Sequence, residues 1–165
     1  MNLEKQRLFS LYPIGTSSFK NGSFIISLEP TYKDGLLELK QFSHVLIFWW
    51  ADQCDNEKDR DTITVPLPYA KGKTAGVFAC RSQLRPNPIA LTTAYIKNID
   101  AEKGEIELYY FDGFEGTPII DLKPYIPFSD RVRDFKTAEW FDSFPEWYED
   151  AGEFFMTHDI DFGES

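Results

Sequence analysis

The sequence predicts a mainly-β fold, a single-domain β-barrel followed by an acidic helical C-terminal extension, and three observations carry that expectation. Short β-branched and aromatic runs recur along the chain, bounded by Gly, Pro and Asn signals. A helical period is almost absent before residue 135. The 165 residues are 42% apolar, with fifteen Phe, eight Tyr and four Trp, which suits one well-filled core and is too short for two comfortable domains. The expected division is a barrel over residues 1–135 with an extension over 136–165 packed against it.

In chain order, Leu8–Ser17 and Gly22–Leu28 read as a first hairpin turning through Lys20-Asn21-Gly22, ended by Pro30. Asp34–Lys40, with Leu36, Leu37 and Leu39, reads as a single helical turn. The dense apolar run Ser43–Ala51 fits a buried strand. Asp52–Asp61 is a polar loop with acids at 55, 57, 59 and 61, but Arg60 stands where a calcium loop needs Gly, so a solvated loop is expected. Gly72-Lys73-Thr74 resembles the end of a phosphate-binding loop only superficially, because Leu67 replaces its first Gly.

Thr74–Cys80, Ile89–Ile99 and Glu105–Phe111 read as three further strands, the last two joined through Asp100–Gly104, and Pro118–Leu122 as a final one. The period changes only near the end. Trp140, Phe141, Phe144, Trp147 and Tyr148 are spaced as one helix face, with Pro145 as a break, and core packing against the barrel is the expectation for them.

Charge is unevenly distributed. The formal net charge is −10, but residues 139–165 hold nine acids and no Lys or Arg, whereas residues 1–138 hold eighteen acids against seventeen bases. Residues 62–99 contain no acid and carry Lys71, Lys73, Arg81, Arg85 and Lys97, a local positive region. No window approaches the apolar length of a membrane span and the start lacks a secretory apolar stretch, so a cytoplasmic protein is expected. Cys54 and Cys80 form no CxxC pair, and His44 and His158 form no HxxxH pair, so no metal centre is expected.

Two segments have the composition of a site. In Arg81-Ser82-Gln83-Leu84-Arg85-Pro86-Asn87-Pro88 the prolines stiffen the backbone and remove two amide donors. Such a segment can present Arg81, Ser82, Arg85 and Asn87 as a fixed donor array for a carboxylate or phosphate, or it is a surface turn with a structural salt bridge. In Asp112–Pro127 the residues Asp121, Lys123 and Tyr125 alternate onto one face, as a proton-handling group or as a polar rim.

The runs GVFACRSQLRPNPIALT and DGFEGTPIIDLKPYIP, with FSHVLIFWWA upstream, resemble the three motif blocks of the TsaA/TrmO-like (YaeB-like) family across roughly residues 10–130. The resemblance implies a barrel-type S-adenosylmethionine-dependent methyltransferase, usually a homodimer, acting on N6 of threonylcarbamoyl-adenosine beside the anticodon of tRNA. It implies that Phe78, Arg81, Ser82, Arg85 and Asn87 border the cofactor, with Phe111, Asp112, Thr117, Pro118 and Ile119 closing the other side; His44 also matches a family position. Asp121 is the first candidate base, His44 the second, and Tyr125 a candidate to face the sulfonium or stack on the base.

The chain departs from the family at Cys80 in place of Thr, at Ala90 in place of Gly, and at Gln83-Leu84. An early Arg of the family is replaced within Gly15-Thr16-Ser17-Ser18. That loss, with the acidic tail, leaves open a small molecule or another RNA as acceptor, and a non-catalytic S-adenosylmethionine-binding module is the remaining alternative.

Overall fold

The computed structural model describes residues 8–158 and residue 160; the last acids of the tail lie outside these. Six strands close into an antiparallel barrel. They are β1 (Gly15–Lys20), β2 (Ser23–Leu28), β3 (His44–Trp50), β6 (Ile89–Asp100), β7 (Glu105–Leu108) and β8 (Pro118–Pro124). Their order around the barrel is β1-β2-β7-β6-β3-β8, with β8 returning to β1. Between β3 and β6 lie the two short strands β4 (Thr64–Pro66) and β5 (Thr74–Gly76), which pair with each other outside the barrel.

Strand alternation sorts the side chains. Along β3 the burial pattern alternates strictly, sending Val45, Ile47 and Trp49 inward and His44, Leu46, Phe48 and Trp50 outward. Ile26, Ala94, Ile106, Leu108 and Ile119 complete a dry interior, and Phe111 packs on the Trp49 ring at 5.6 Å between centroids. The first turn follows from sequence: Asn21 and Gly22 adopt φ of 52° and 79°, the left-handed pair that a tight hairpin requires.

Two irregularities aim side chains. β8 shifts register between Phe48 and Trp49, so that Asp121 faces Phe48 while Ile119 faces Trp49 and Ile120 is the extra residue. β6 shifts between Ile96 and Asn98, and the intervening Lys97 reaches Glu107 at 2.7 Å and Ser23 Oγ at 2.8 Å.

Several expected boundaries move. β1 begins at Gly15 rather than Leu8, because residues 8–13 are exposed and Pro13 removes a ladder donor. The run Thr74–Cys80 is a strand only to Gly76; Val77–Ala79 then turns as a 3₁₀ segment, and Arg85 bonds the carbonyls of Val77 and Cys80 that a ladder would use. Asp34–Lys40 is not one helical turn but parts of two 3₁₀ segments, Pro30–Leu36 and Leu39–Gln41, whose Leu36 and Leu39 join the core.

The helix expected over 140–148 does not form. Glu139–Phe141 and Tyr148–Asp150 are single 3₁₀ turns separated by Pro145, and the helix α3 spans Ala151–Thr157, preceded by the four-residue helices α1 (Glu57–Arg60) and α2 (Pro127–Asp130). The aromatic stripe is therefore divided. Trp140 packs on the small cluster of Leu67, Ala70 and Ala75, Phe141 and Phe144 meet Tyr69, and Trp147 lies under Arg131. Among the described residues no helix is long and apolar enough to cross a membrane.

Closure of the barrel runs through Gly15. A Cβ there would meet the carbonyl of Ser27 and come within 2.9 Å of Leu28 Cα, all backbone atoms of the neighbouring strand. Gly15→Ala is expected to destabilise the fold by about 2 kcal/mol, as a rigid overpacking contact. Urea unfolding should show a lower midpoint at unchanged slope, and an equal midpoint would mean that β1 and β2 can separate without cost.

Candidate functional site

The segment Val77–Pro88 leaves β5 and enters β6. With Pro86 and Pro88 lacking amide donors, its free backbone groups are mainly carbonyls, and cations satisfy them. Arg85 turns inward on its own loop: Nε donates to Ser82 O at 2.7 Å, and Nη2 donates to Val77 O at 2.5 Å and Cys80 O at 2.8 Å. Ser82 Oγ accepts from the Leu84 amide at 3.2 Å, fixing the turn between them. From outside the loop, Arg60 Nη1 donates to Pro86 O at 3.1 Å and the Ala51 amide to Pro88 O at 2.8 Å. What the segment presents outward is Phe78, 84% exposed, and the exposed Arg81, which has no hydrogen-bond or ion-pair partner among the described residues.

The second segment, Tyr109–Thr117, joins β7 to β8 and is held by a relay. Trp49 Nε1 donates to Thr92 Oγ1 at 3.0 Å, the Thr92 hydroxyl donates to Asp112 Oδ2 at 2.7 Å, and Tyr110 OH donates to Asp112 Oδ1 at 2.5 Å. Burial, and then the bond to Asp112, pushes the Tyr110 phenol well above its usual range. Gly113 lies against Phe111, whose ring would be 2.5 Å from a Cβ at that position, and Gly116 takes φ of 81°. Ser17 ties the loop to β1: its hydroxyl donates to Phe114 O at 2.6 Å, and its carbonyl accepts from the Gly116 amide at 2.8 Å. Thr117 and Ile119 are buried, and Pro118 begins β8.

An open cleft of about 2090 Å³ lies beside the first segment. Phe78, Arg81 and Ser82 line it, and Phe114 reaches it from the second segment. Arg85, Asn87, Phe111, Asp112, Thr117, Pro118 and Ile119 are not in its lining; Arg85 and Asp112 make the internal bonds given above, and Phe111 and Ile119 belong to the barrel core. The remaining wall comes from parts the sequence reading did not single out as a site: Gln53, Cys54 and Asp59 of the loop after β3, Tyr69 beside β4, and Phe141 and Phe144 of the extension. Lys73 Nζ holds Glu139 at 3.0 Å and so fastens the extension to the β4–β5 hairpin. The clue in sequence was only the spacing of aromatic residues 140–148, which suits a cleft wall as well as a core.

The other singled-out residues sit elsewhere. His44, Asp121 and Tyr125 are not in the cleft lining: His44 begins β3, Asp121 lies in β8 opposite Phe48, and Tyr125 follows β8 with its amide on His44 O. Asp121 Oδ2 is 2.6 Å from Lys123 Nζ, and Oδ1 accepts from the Leu122 amide at 2.9 Å. The His44 ring is surrounded by Tyr95 at 4.9 Å, Tyr148 at 5.5 Å and Tyr125 at 6.2 Å, and its Nδ1 is 2.8 Å from Ser43 Oγ. Among the described residues no three His, Cys, Asp or Glu side chains are grouped as a metal would need.

Residues 9–131 match the family model described as the tRNA-methyltransferase O N-terminal domain. The chain is similar to an S-adenosyl-L-methionine-binding protein of Archaeoglobus fulgidus, 31% identical over 111 residues that cover 67% of this chain and 75% of that protein. It is 32% identical over 116 residues to the tRNA (adenine(37)-N6)-methyltransferase of Escherichia coli, covering 69% of this chain and 49% of that one. A crystal structure of TrmO from Pseudomonas aeruginosa superposes with a TM-score of 0.61 at 27% identity, over 81% of this chain and 63% of the other. The chain thus spans about half of the Escherichia coli relative, and 32% of the length of a probable S-adenosyl-L-methionine-binding protein of Archaeoglobus fulgidus to which it is 31% identical.

Two outcomes follow from the Asp112 relay. Thr92→Val leaves the buried Trp49 Nε1 without an acceptor and Asp112 Oδ2 without its donor, and is expected to cost about 1–3 kcal/mol in chemical denaturation; a neutral change would mean that the relay is not part of the fold's stability. The raised Tyr110 pKa means that the folded state keeps its proton where the unfolded chain loses it. The stability it contributes is present below the ordinary phenol range and is lost as pH rises above about 10. Tyr110→Phe should flatten that alkaline loss, followed by phenolate absorbance together with circular dichroism.

Proposed function

The chain belongs to the tRNA-methyltransferase O N-terminal-domain family, and from that premise we propose that it is an S-adenosylmethionine-dependent methyltransferase whose donor binds in the cleft beside Val77–Pro88. The observation that carries the reading is the unpartnered Arg81 held with Ser82 and Phe78 on a stapled loop, opposite aromatic and acidic side chains.

The chemistry of the lining suits that donor. An amino-acid carboxylate would meet Arg81 and Ser82, an adenine ring would meet faces such as Phe78, Phe114 or Tyr69, and a cationic sulfonium and ammonium would be favoured by Asp59, Glu139 and Asp142. Bound there, the donor supplies an electrophilic methyl group. The work left to the protein is alignment and exclusion of water, because in-line displacement depends chiefly on geometry. Arg85 and Arg60 serve alignment by fixing the loop carbonyls, and the rings of Phe141 and Phe144 add apolar surface to the cleft wall. Asp121 is paired with Lys123 away from the lining, so the reading gives it no part in the transfer itself, and the proton released from an acceptor nitrogen passes to solvent.

For the acceptor we propose N6 of a modified adenosine beside the anticodon of tRNA. The support is the name of the Escherichia coli relative and the acid-free basic stretch of residues 62–99. One observation favours a second reading, a small-molecule acceptor: Glu139, Asp142 and Glu146 stand along the extension wall, where they repel a phosphodiester chain. A homodimer acting in the cytoplasm belongs to the first reading, and the exposed rings of Tyr95 and Tyr109 on the barrel surface support the dimer.

Calorimetric titration with S-adenosylhomocysteine tests the donor. Wild type should bind, and Arg81→Ala should weaken binding about tenfold, the loss of one charge-assisted contact. Mass spectrometry of tRNA nucleosides from a deletion strain tests the acceptor: an unchanged level of N6-methylated threonylcarbamoyl-adenosine would sink the tRNA reading in favour of the small molecule.

A further inference from the structure

We infer that Arg60 is a positioning residue for methyl-donor binding, acting through the carbonyl of Pro86. The inference rests on the methyltransferase reading above and adds a residue outside both motif blocks. The loop Asp52–Asp61, which by composition alone looks merely solvated, is organised around this side chain. Asn56 caps the one-turn helix α1 by accepting from the Asp59 amide at 3.0 Å, and Arg60 projects from the last position of that turn.

Its guanidinium is held on three sides. Nε donates to Asp55 Oδ1 at 2.5 Å, while Asp55 Oδ2 accepts from Trp50 Nε1 at 2.9 Å. The cation lies 5.5 Å over the Trp50 ring. With two of its directions taken, the remaining arm, Nη1, meets Pro86 O at 3.1 Å. The Arg60 guanidinium, and then the Trp50 indole, hold the Asp55 carboxyl below its usual range, so Asp55 is a carboxylate at neutral pH.

This contact matters because of what lies on the two sides of it. Arg85 staples the loop from Val77 to Ser82, but nothing within the loop holds Pro86, which has no amide of its own. The Ala51 amide holds Pro88. Arg60 is therefore the middle of three fastenings; Arg81 and Ser82 lie within the span closed by the first, and Arg85, whose side chain makes that closure, is joined directly to Pro86. The same loop touches the cleft directly, since Gln53, Cys54 and Asp59 line it and Cys54 Sγ is 3.8 Å from Gln83 Oε1.

A part-exposed ion pair contributes little to global stability; Arg60 and Asp55 side chains are 38% and 35% exposed. A positioning role and a merely structural one therefore separate in experiment. Lys cannot replace Arg here, because a single ammonium does not reach a carboxylate and a carbonyl in the fork geometry.

The test compares wild type, Arg60→Gln and Arg60→Lys, with Lys58→Gln as a control on the same turn. Calorimetry with S-adenosylhomocysteine, donor KM and kcat, and hydrogen exchange of residues 77–89 are measured on the full chain. Both Arg60 variants should bind about tenfold more weakly and show a raised donor KM, with kcat within about twofold. Exchange of the loop should quicken while Tm stays within a few degrees and Lys58→Gln matches wild type. Wild-type affinity in a folded Arg60→Gln, unchanged loop exchange, or an equal loss in Lys58→Gln would each overturn the inference. A wild-type chain that binds no S-adenosylhomocysteine overturns the methyltransferase reading, and this inference with it, before any variant is compared.

Discussion

Everything in this molecule hangs on the meeting of β8 with β1. A six-stranded sheet left open would expose two edges; here the edge is removed by the pairs Gly15–Ile119 and Thr16–Pro118 and by the Ile14 amide on Ile119 O at 2.7 Å. The seam is short because Pro118 ends the ladder on one side and the bulge at Ile120 bends the strand on the other. Only Gly15 allows the backbone of β2 to approach closely enough for β1 to serve both neighbours. Once closed, the barrel fills its interior with Val45, Ile47, Ile106, Leu108 and Ile119 and holds its connecting loops at fixed separations.

The two loops of the candidate site are made rigid by opposite chemistry. Val77–Pro88 is rich in prolines, so its orphan groups are carbonyls and its fasteners are the guanidinium groups of Arg85 and Arg60. Tyr109–Thr117 is rich in glycine, so it bends freely and is fastened instead by acceptors and hydroxyls: Asp112, Thr92, Tyr110 and Ser17. Arg85, which composition suggests as a ligand contact, and Asp112, which the family resemblance implies as one, both make internal bonds, and Arg81 lines the cleft.

The extension changes the character of that cleft. Residues beyond 131 lie outside the family match, yet Phe141, Phe144, Glu139 and Asp142 form much of one wall. They stand there because the aromatic residues find Tyr69 and the small cluster around Leu67, and because Lys73 holds Glu139. A positive loop thus faces an acidic and aromatic wall, an arrangement suited to a ligand that carries a carboxylate, a flat ring and a cation together.

The sequence by itself determined the barrel class, the hairpin at Asn21-Gly22, a strand in the apolar run 43–51, and the two loops with their donor and glycine content. These are legible because apolar runs, left-handed turns and missing proline amides depend on residues a few positions apart. Tertiary structure alone decided which polar side chains line the cleft. Arg60 meets Pro86 across 26 residues, and Trp49 meets Thr92 across 43, contacts that exist only once β3 has paired with β6. It also decided that the 140–148 aromatics become turns against a cleft and that Asp121 stands opposite Phe48, since a proline break and a one-residue bulge act through neighbours far along the chain. A guanidinium or carboxylate on a flexible stem takes whichever partner the folded backbone offers, and local spacing does not encode that choice.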